Sequence, residues 1–105
     1  MSVKVIMERT VKTGREKELA ELLKELRSRG LHQPGYISGE TLLDVDHPRT
    51  HIVISEWHSL DEWRKWEGSA ERQGLVVRVE RLLEQPTRTR VCIDAWGLPP
   101  TYSHV

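Results

Sequence analysis

A chain of 105 residues with sixteen basic and sixteen acidic side chains, interspersed and without blocks, makes one domain with a modest core. Its neutral, mixed charge lacks the basic footprint of a nucleic-acid binder, and no segment approaches the ~20 apolar residues that span a bilayer. A single cysteine, Cys92, excludes an internal disulfide, and the N-terminus carries no apolar stretch behind a basic one, so the pattern predicts a soluble cytoplasmic protein with neither nucleic acid nor membrane as partner.

In chain order, Val3, Val5, Met7, Arg9 and Val11 alternate with Lys4, Ile6, Glu8 and Thr10, which predicts a strand with one apolar and one mixed face. Thr13-Gly-Arg-Glu16 has the form of a capping box, and Leu19, Leu22, Leu23 and Leu26 follow at helical spacing up to Gly30, read as a C-terminal glycine. After a Gln33-Pro-Gly35 turn, Tyr36 to Asp44 reads as a strand, with Gly39 marking a bulge or a close approach. Asp46-His-Pro-Arg49 then connects, hairpin-fashion, to the stretch around which the chain is organised.

That stretch runs from Thr50 to Trp66. It begins as an apolar strand (Ile52, Val53, Ile54), closes with three of the four tryptophans, and holds a second capping box, Ser59-Leu-Asp-Glu62, between its halves. A buried strand ending near Trp57 and a helix carrying Trp63 and Trp66 on one side follow from it. Gly68-Ser69 can break and recap the chain before a second stripe of Leu75, Val76, Val79, Leu82 and Leu83. Thr87 to Trp96 reads as the last strand, and a tail over 97–105 as irregular.

The resulting order of strand, helix, strand, strand, helix, strand is that of an α+β, ferredoxin-like βαββαβ fold with an antiparallel sheet, here a single domain over 1–105. Helices in this topology cover one face of the sheet. Because Ile52 and Ile54 alternate against Val53, the other face is also apolar, which predicts a homodimer with sheets packed face to face. With no phenylalanine, the core rests on Val, Ile, Leu and tryptophan, and four tryptophans in a small chain suggest that some line a cavity or an interface.

The segment Glu-Trp-His-Ser-Leu-Asp-Glu-Trp-Arg-Lys-Trp-Glu-Gly-Ser, with the early Val-Lys-Thr-Gly-Arg-Glu and the Gln-Pro-Gly-Tyr turn, resembles antibiotic biosynthesis monooxygenase-like (ABM) domains over roughly residues 2 to 96. The resemblance implies a dimeric α+β barrel. Some members are cofactor-free oxygenases of polycyclic phenols or quinols, some degrade haem, and many have no settled role. The haem-degrading branch uses an Asn, a Trp and a His; Trp66 matches the Trp, but Met7 and Val76 stand at the other two positions, so haem degradation is not expected.

A cofactor-free oxygenase needs an apolar slot, a base, and donors near a developing oxyanion. Trp63 and Trp66 are candidates for the wall of such a slot, or else the core contribution of a short helix. His58, at the strand–helix joint, is the candidate base, or else an exposed turn histidine. Met7, Tyr36 and Arg9 complete the candidate substrate contacts, Arg9 as a holder of an anion at the mouth unless it forms an ordinary surface pair. His47 and His51 flank a turn rather than share a helix face, and no metal site is expected. No phosphate loop or dinucleotide glycine pattern is present, so no cofactor is expected. Two functions remain: a small monooxygenase acting on a phenol- or quinol-like aromatic, or a non-catalytic dimeric module that binds an apolar small molecule or a protein partner. A cavity holding His58 or Tyr36 favours the first, and one plugged by Met7, Trp63 and Trp66 the second.

Overall fold

The structure is a computed structural model, and residues 1–96 are described. The elements are β1 (Val3–Thr10), α1 (Glu16–Gly30), β2 (Tyr36–Leu43), β3 (Thr50–Trp57), α2 (Leu60–Glu67), α3 (Ala70–Glu80) and β4 (Arg88–Cys92). All pairings are antiparallel and the strand order is β2-β3-β1-β4, which is the ferredoxin-like arrangement. The expected tail over 97–105 lies outside the described residues.

β1 carries the alternation expected of it: Val3, Val5, Met7 and Arg9 are buried, and Lys4, Ile6, Glu8 and Thr10 are not. Register puts Val5 opposite Ser55, Met7 opposite Val53 and Arg9 opposite His51 on the helix-covered face. Ile6 opposite Ile54 and Glu8 opposite Ile52 lie on the other. The core packs Leu19, Leu22 and Leu26 of α1 and Leu75 and Val79 of α3 against this first face, with Trp57, Trp63 and Trp66 at one end. No isoleucine joins that core; Ile6, Ile52 and Ile54 line the open face, and Leu42 lies beside Ile52 through β2.

Local chemistry explains most element ends. The Ser59 hydroxyl accepts from the Glu62 N–H at 3.2 Å, and it donates to the Glu62 carboxylate at 3.0 Å instead of leaving that group to the cap's own N–H. Ser69 recaps the chain in the same way, accepting from the Arg72 N–H at 3.1 Å while its hydroxyl donates to the Trp66 carbonyl. The tryptophan helix and the following one are therefore separate.

Three expectations need correction. Thr13 does not cap α1: Gly14 has φ +85°, a left-handed conformation that cannot begin a helix, so α1 starts behind Arg15, which makes no side-chain cap bond, and the Thr13 hydroxyl accepts from Arg49 instead. Gly30 ends α1 without a left-handed φ, because the next residue stays in the right-handed region. The last strand stops at Cys92, not Trp96; Cys92 pairs with Lys4, one residue from the start of β1, and an edge strand ends where its partner does. Trp96 is 97% exposed.

Candidate functional site

Between the sheet and the helices lies a cavity of about 80 Å³. Its floor is the covered face of β1 and β3 (Met7, Arg9, Val53, Ser55 and Trp57), its roof is α1 (Leu23, Leu26, Arg27 and Gly30), and its back wall is Trp63, Trp66 and Arg72. β2 closes the side through Tyr36, Gly39, Glu40 and Thr41. Arg27, Glu40 and Thr41 are exposed and form the mouth, where an Arg27 guanidinium N–H donates to the Gly39 carbonyl at 3.3 Å.

The tryptophans are ordered by one another. Trp57, 1% exposed, donates its indole N–H to the Ser55 hydroxyl at 3.1 Å and packs edge-on against Tyr36, ring centroids 5.4 Å apart. Trp63, also 1% exposed, tilts against Trp57 at 5.6 Å, and its indole N–H is buried without a partner. Trp66 lies against Gly30, where a Cβ would sit 3.6 Å from the indole nitrogen. The Tyr36 hydroxyl lies over Gly39, as a close-approach glycine implies; a Cβ there would be 2.5 Å from the phenolic oxygen. A register shift between Tyr36 and Ser38 puts Tyr36, opposite Trp57, and Gly39, opposite Ser55, on the cavity face together.

Two arginines give the cavity its charge. Arg9 is 2% exposed and Arg72 7%. The expectation of an ordinary surface pair for Arg9 fails because alternation turns it inward with Met7. Its Nε donates to the Thr87 hydroxyl at 3.2 Å, and its Nη2 reaches the Met7 sulfur at 3.5 Å. Arg72 reaches the same sulfur at 3.6 Å and lies over the Trp63 ring, 5.2 Å from the centroid. Among the described residues neither forms an ion pair.

Burial, and then the neighbouring Arg72, lower the pKa of Arg9 to about 10 against an opposing pull from Glu80, which still leaves it a cation at neutral pH. Burial also lowers Arg72, against Glu67 and Glu80. Opposite Arg9 on β3, His51 has a buried Nδ1 without a partner among the described residues, and burial followed by the Arg9 charge pushes its pKa down, favouring the neutral ring.

Five of the six residues singled out from the sequence, Met7, Arg9, Tyr36, Trp63 and Trp66, meet in this cavity. His58 does not. Strand alternation buries Trp57 and turns His58 outward, where its side chain is exposed and its backbone N–H donates to the Gly35 carbonyl at 2.7 Å. Arg72 was not singled out. Its signal was a basic residue in the first turn of a serine-capped helix, where the positive end of the helix dipole disfavours a cation.

A sequence profile described as antibiotic biosynthesis monooxygenase matches residues 2–77. The chain belongs to the antibiotic biosynthesis monooxygenase (ABM) family. Within the ABM family fold, it is similar to SnoaB, a cofactor-independent oxygenase from Streptomyces nogalater, with 17% identity, TM-score 0.81, and coverage of 93% of this chain and 97% of that one. Rv0793 from Mycobacterium tuberculosis (18% identity, TM-score 0.81, 90% and 95% covered) and a conserved protein from Methanosarcina mazei (18%, 0.82, 87% and 90%) have the same fold. Protein SchA of Streptomyces halstedii is 26% identical over 78 residues, 74% of this chain, and the chain spans about a fifth of that relative's length. Among the described residues no helix is long and apolar enough to cross a membrane.

The lining does not suit the haem chemistry known in part of the ABM family. Among the described residues it contains no imidazole, Val76 lies outside it, and the Met7 sulfur already faces two guanidinium groups. Haem added with a reductant in air is expected to lose its Soret band no faster with the protein than without it. Faster loss with release of iron would overturn this.

Proposed function

We propose that this ABM-family protein is a small cofactor-independent monooxygenase acting on a phenol- or quinol-like aromatic in the tryptophan-walled cavity. The observation that carries the reading is the pair of buried guanidinium groups beside an aromatic wall. A cation in a site of low polarity favours the ionised form of a neighbouring acid, so the pair would lower the pKa of a bound phenol and take over the task first given to His58. The phenolate then delivers its electrons to oxygen. A phenol with a free para C–H plus O₂ gives a para-quinone plus water; the substrate supplies all the electrons, and no external reductant enters. Trp63, Trp66 and Tyr36 would hold the ring and exclude water.

Oxygen uptake with a panel of monocyclic and polycyclic phenols and quinols tests this. Consumption of one O₂ per quinone formed is expected, falling at least tenfold in Arg72→Met. Uptake no faster than autoxidation across the panel would leave the second reading, a non-catalytic module that binds a small molecule or a protein partner. That reading is favoured by the lack, among the cavity-lining residues, of an enclosed histidine or carboxylate able to take a proton.

The same reading includes a homodimer formed through the open sheet face. Ile6, Leu42, Ile52 and Ile54 lie at its centre, with Lys4, Glu8, Glu56 and Arg88 around them. Light scattering at micromolar concentration is expected to give twice the monomer mass, and Ile54→Glu, which sets a charge in the middle of the patch, the monomer mass. A monomer from the unsubstituted chain would remove the face-to-face barrel.

A further inference from the structure

Arg9 and Arg72 are placed against the interests of the fold. Burying an ionised side chain is costly unless a counter-charge and hydrogen bonds meet it. Here two cations are buried side by side, and both aim a guanidinium N–H at one thioether, a weak acceptor that offsets little of that cost. Arg72 in addition occupies the first turn of α3, where the helix dipole opposes it. The carboxylates that act on the pair, Glu80 and Glu67, do so from beyond ion-pair distance. Glu80 is itself engaged, accepting from the Thr87 backbone N–H at 3.2 Å. On the cavity wall, Glu40 pairs across the sheet with Ile54, in the open-face set of the register. A third donor nearby, the Trp63 indole N–H, is buried and unpartnered. Apart from the Arg9 Nε bond to the Thr87 hydroxyl, the two guanidinium groups face only the Met7 sulfur, the Trp63 indole N–H has no acceptor, and no carboxylate among the described residues pairs with either arginine.

We infer that Arg9 and Arg72 form an anion subsite, and that the ligand of this cavity is a single-ring aromatic carboxylate. A carboxylate brings two oxygens and about four lone-pair positions, enough to meet both guanidinium groups, whereas a lone phenolate oxygen would leave much of the pair unmet. The ring is assigned by the walls: Trp63, Trp66 and Tyr36 are apolar aromatic surface next to the charged end. The limit to one ring follows from size. A cavity of about 80 Å³ is far below the ~300–1,000 Å³ of sites that enclose larger ligands and below the ~150 Å³ that encloses benzene, so one ring is held with its far edge in the open mouth at Arg27, Glu40 and Thr41. The inference rests on the cavity being the ligand site, as proposed above. It narrows the substrate from phenols in general to hydroxylated arenecarboxylates with a free position para to the hydroxyl; the carboxylate offsets one of the two positive charges, and the other still favours the phenolate.

The probes are 3-hydroxybenzoate, whose position para to the hydroxyl is a free C–H, and its neutral isostere 3-hydroxybenzamide, titrated calorimetrically into the full chain. The carboxylate is expected to bind at least tenfold more tightly than the amide. In Arg9→Met and Arg72→Met that preference should fall to within about twofold, with thermal melts confirming that each variant is folded. Arg72→Lys, which keeps the charge without the planar fork, should retain part of it and keeps the test open should a methionine variant fail to fold. Equal binding of acid and amide by the unsubstituted chain, binding of neither at millimolar concentration, or a preference that survives both methionine substitutions would each overturn the inference. The two readings fail separately. Carboxylate preference without oxygen uptake removes the oxygenase and leaves the subsite; oxygen uptake on neutral phenols without carboxylate preference does the reverse.

Discussion

Replacing Trp63 by alanine is expected to cost about 3–5 kcal/mol of folding stability, a large share of the 5–15 kcal/mol typical of a domain. Trp63 is 1% exposed, packs on Trp57, and carries Arg72 over its ring. Truncation therefore opens a hole in the core and strips a buried cation of its aromatic partner. Trp66→Ala should cost clearly less, about 2 kcal/mol, although Trp66 is only 5% exposed. Both indoles line the cavity, but only Trp63 packs on Trp57 and carries a cation over its ring, so less packing is lost with Trp66. Urea unfolding of the two variants side by side decides the point. A Trp66 loss as large as that of Trp63 would make Trp66 plain core and take away the back wall of the site.

The second large effect has the opposite sign. Arg9→Met should raise stability by roughly 1–3 kcal/mol, since an apolar side chain of similar length replaces a desolvated cation and relieves its repulsion with Arg72. For a domain of this size that corresponds to a melting temperature higher by about 4–8 °C per kcal/mol. The lost bond to the Thr87 hydroxyl is a small opposing term. A residue that weakens the fold in the free protein is retained where function needs it, as the general trade between stability and activity at sites describes. The variant should therefore be more stable and bind carboxylate less well. A lower melting temperature would mean that Arg9 is already compensated in the free protein, and the case for an unmet positive site would fall.

What the sequence determined alone is what depends on near neighbours. The alternation of Val3 to Val11 needs only the two-residue period of a strand, and the leucines of α1 only the helical period. The Ser59 and Ser69 caps are contacts over three residues, and both form. Since the strand and helix order follows from these local signals, the βαββαβ topology was legible too. Thr13 shows the limit even at short range: its cap depended on the φ of Gly14 and on the hold of Arg49, which comes from far along the chain.

The site belongs to the tertiary structure. Met7 and Arg72 are 65 residues apart in sequence, and Arg9 and Thr87 are 78 apart; no local period brings them together. Arg72 lies among Glu71, Gln73 and Gly74, in a stretch that reads as a solvated helix face. It is buried only because the Ser69 cap sets the start of α3 and the packing of that helix turns its first turn onto Met7. His58 went the other way: its neighbour Trp57 claims the inner face, and alternation leaves the histidine outside. Local periodicity decides which face a residue takes, but the charge of the cavity depends on which faces meet, and that is decided by packing.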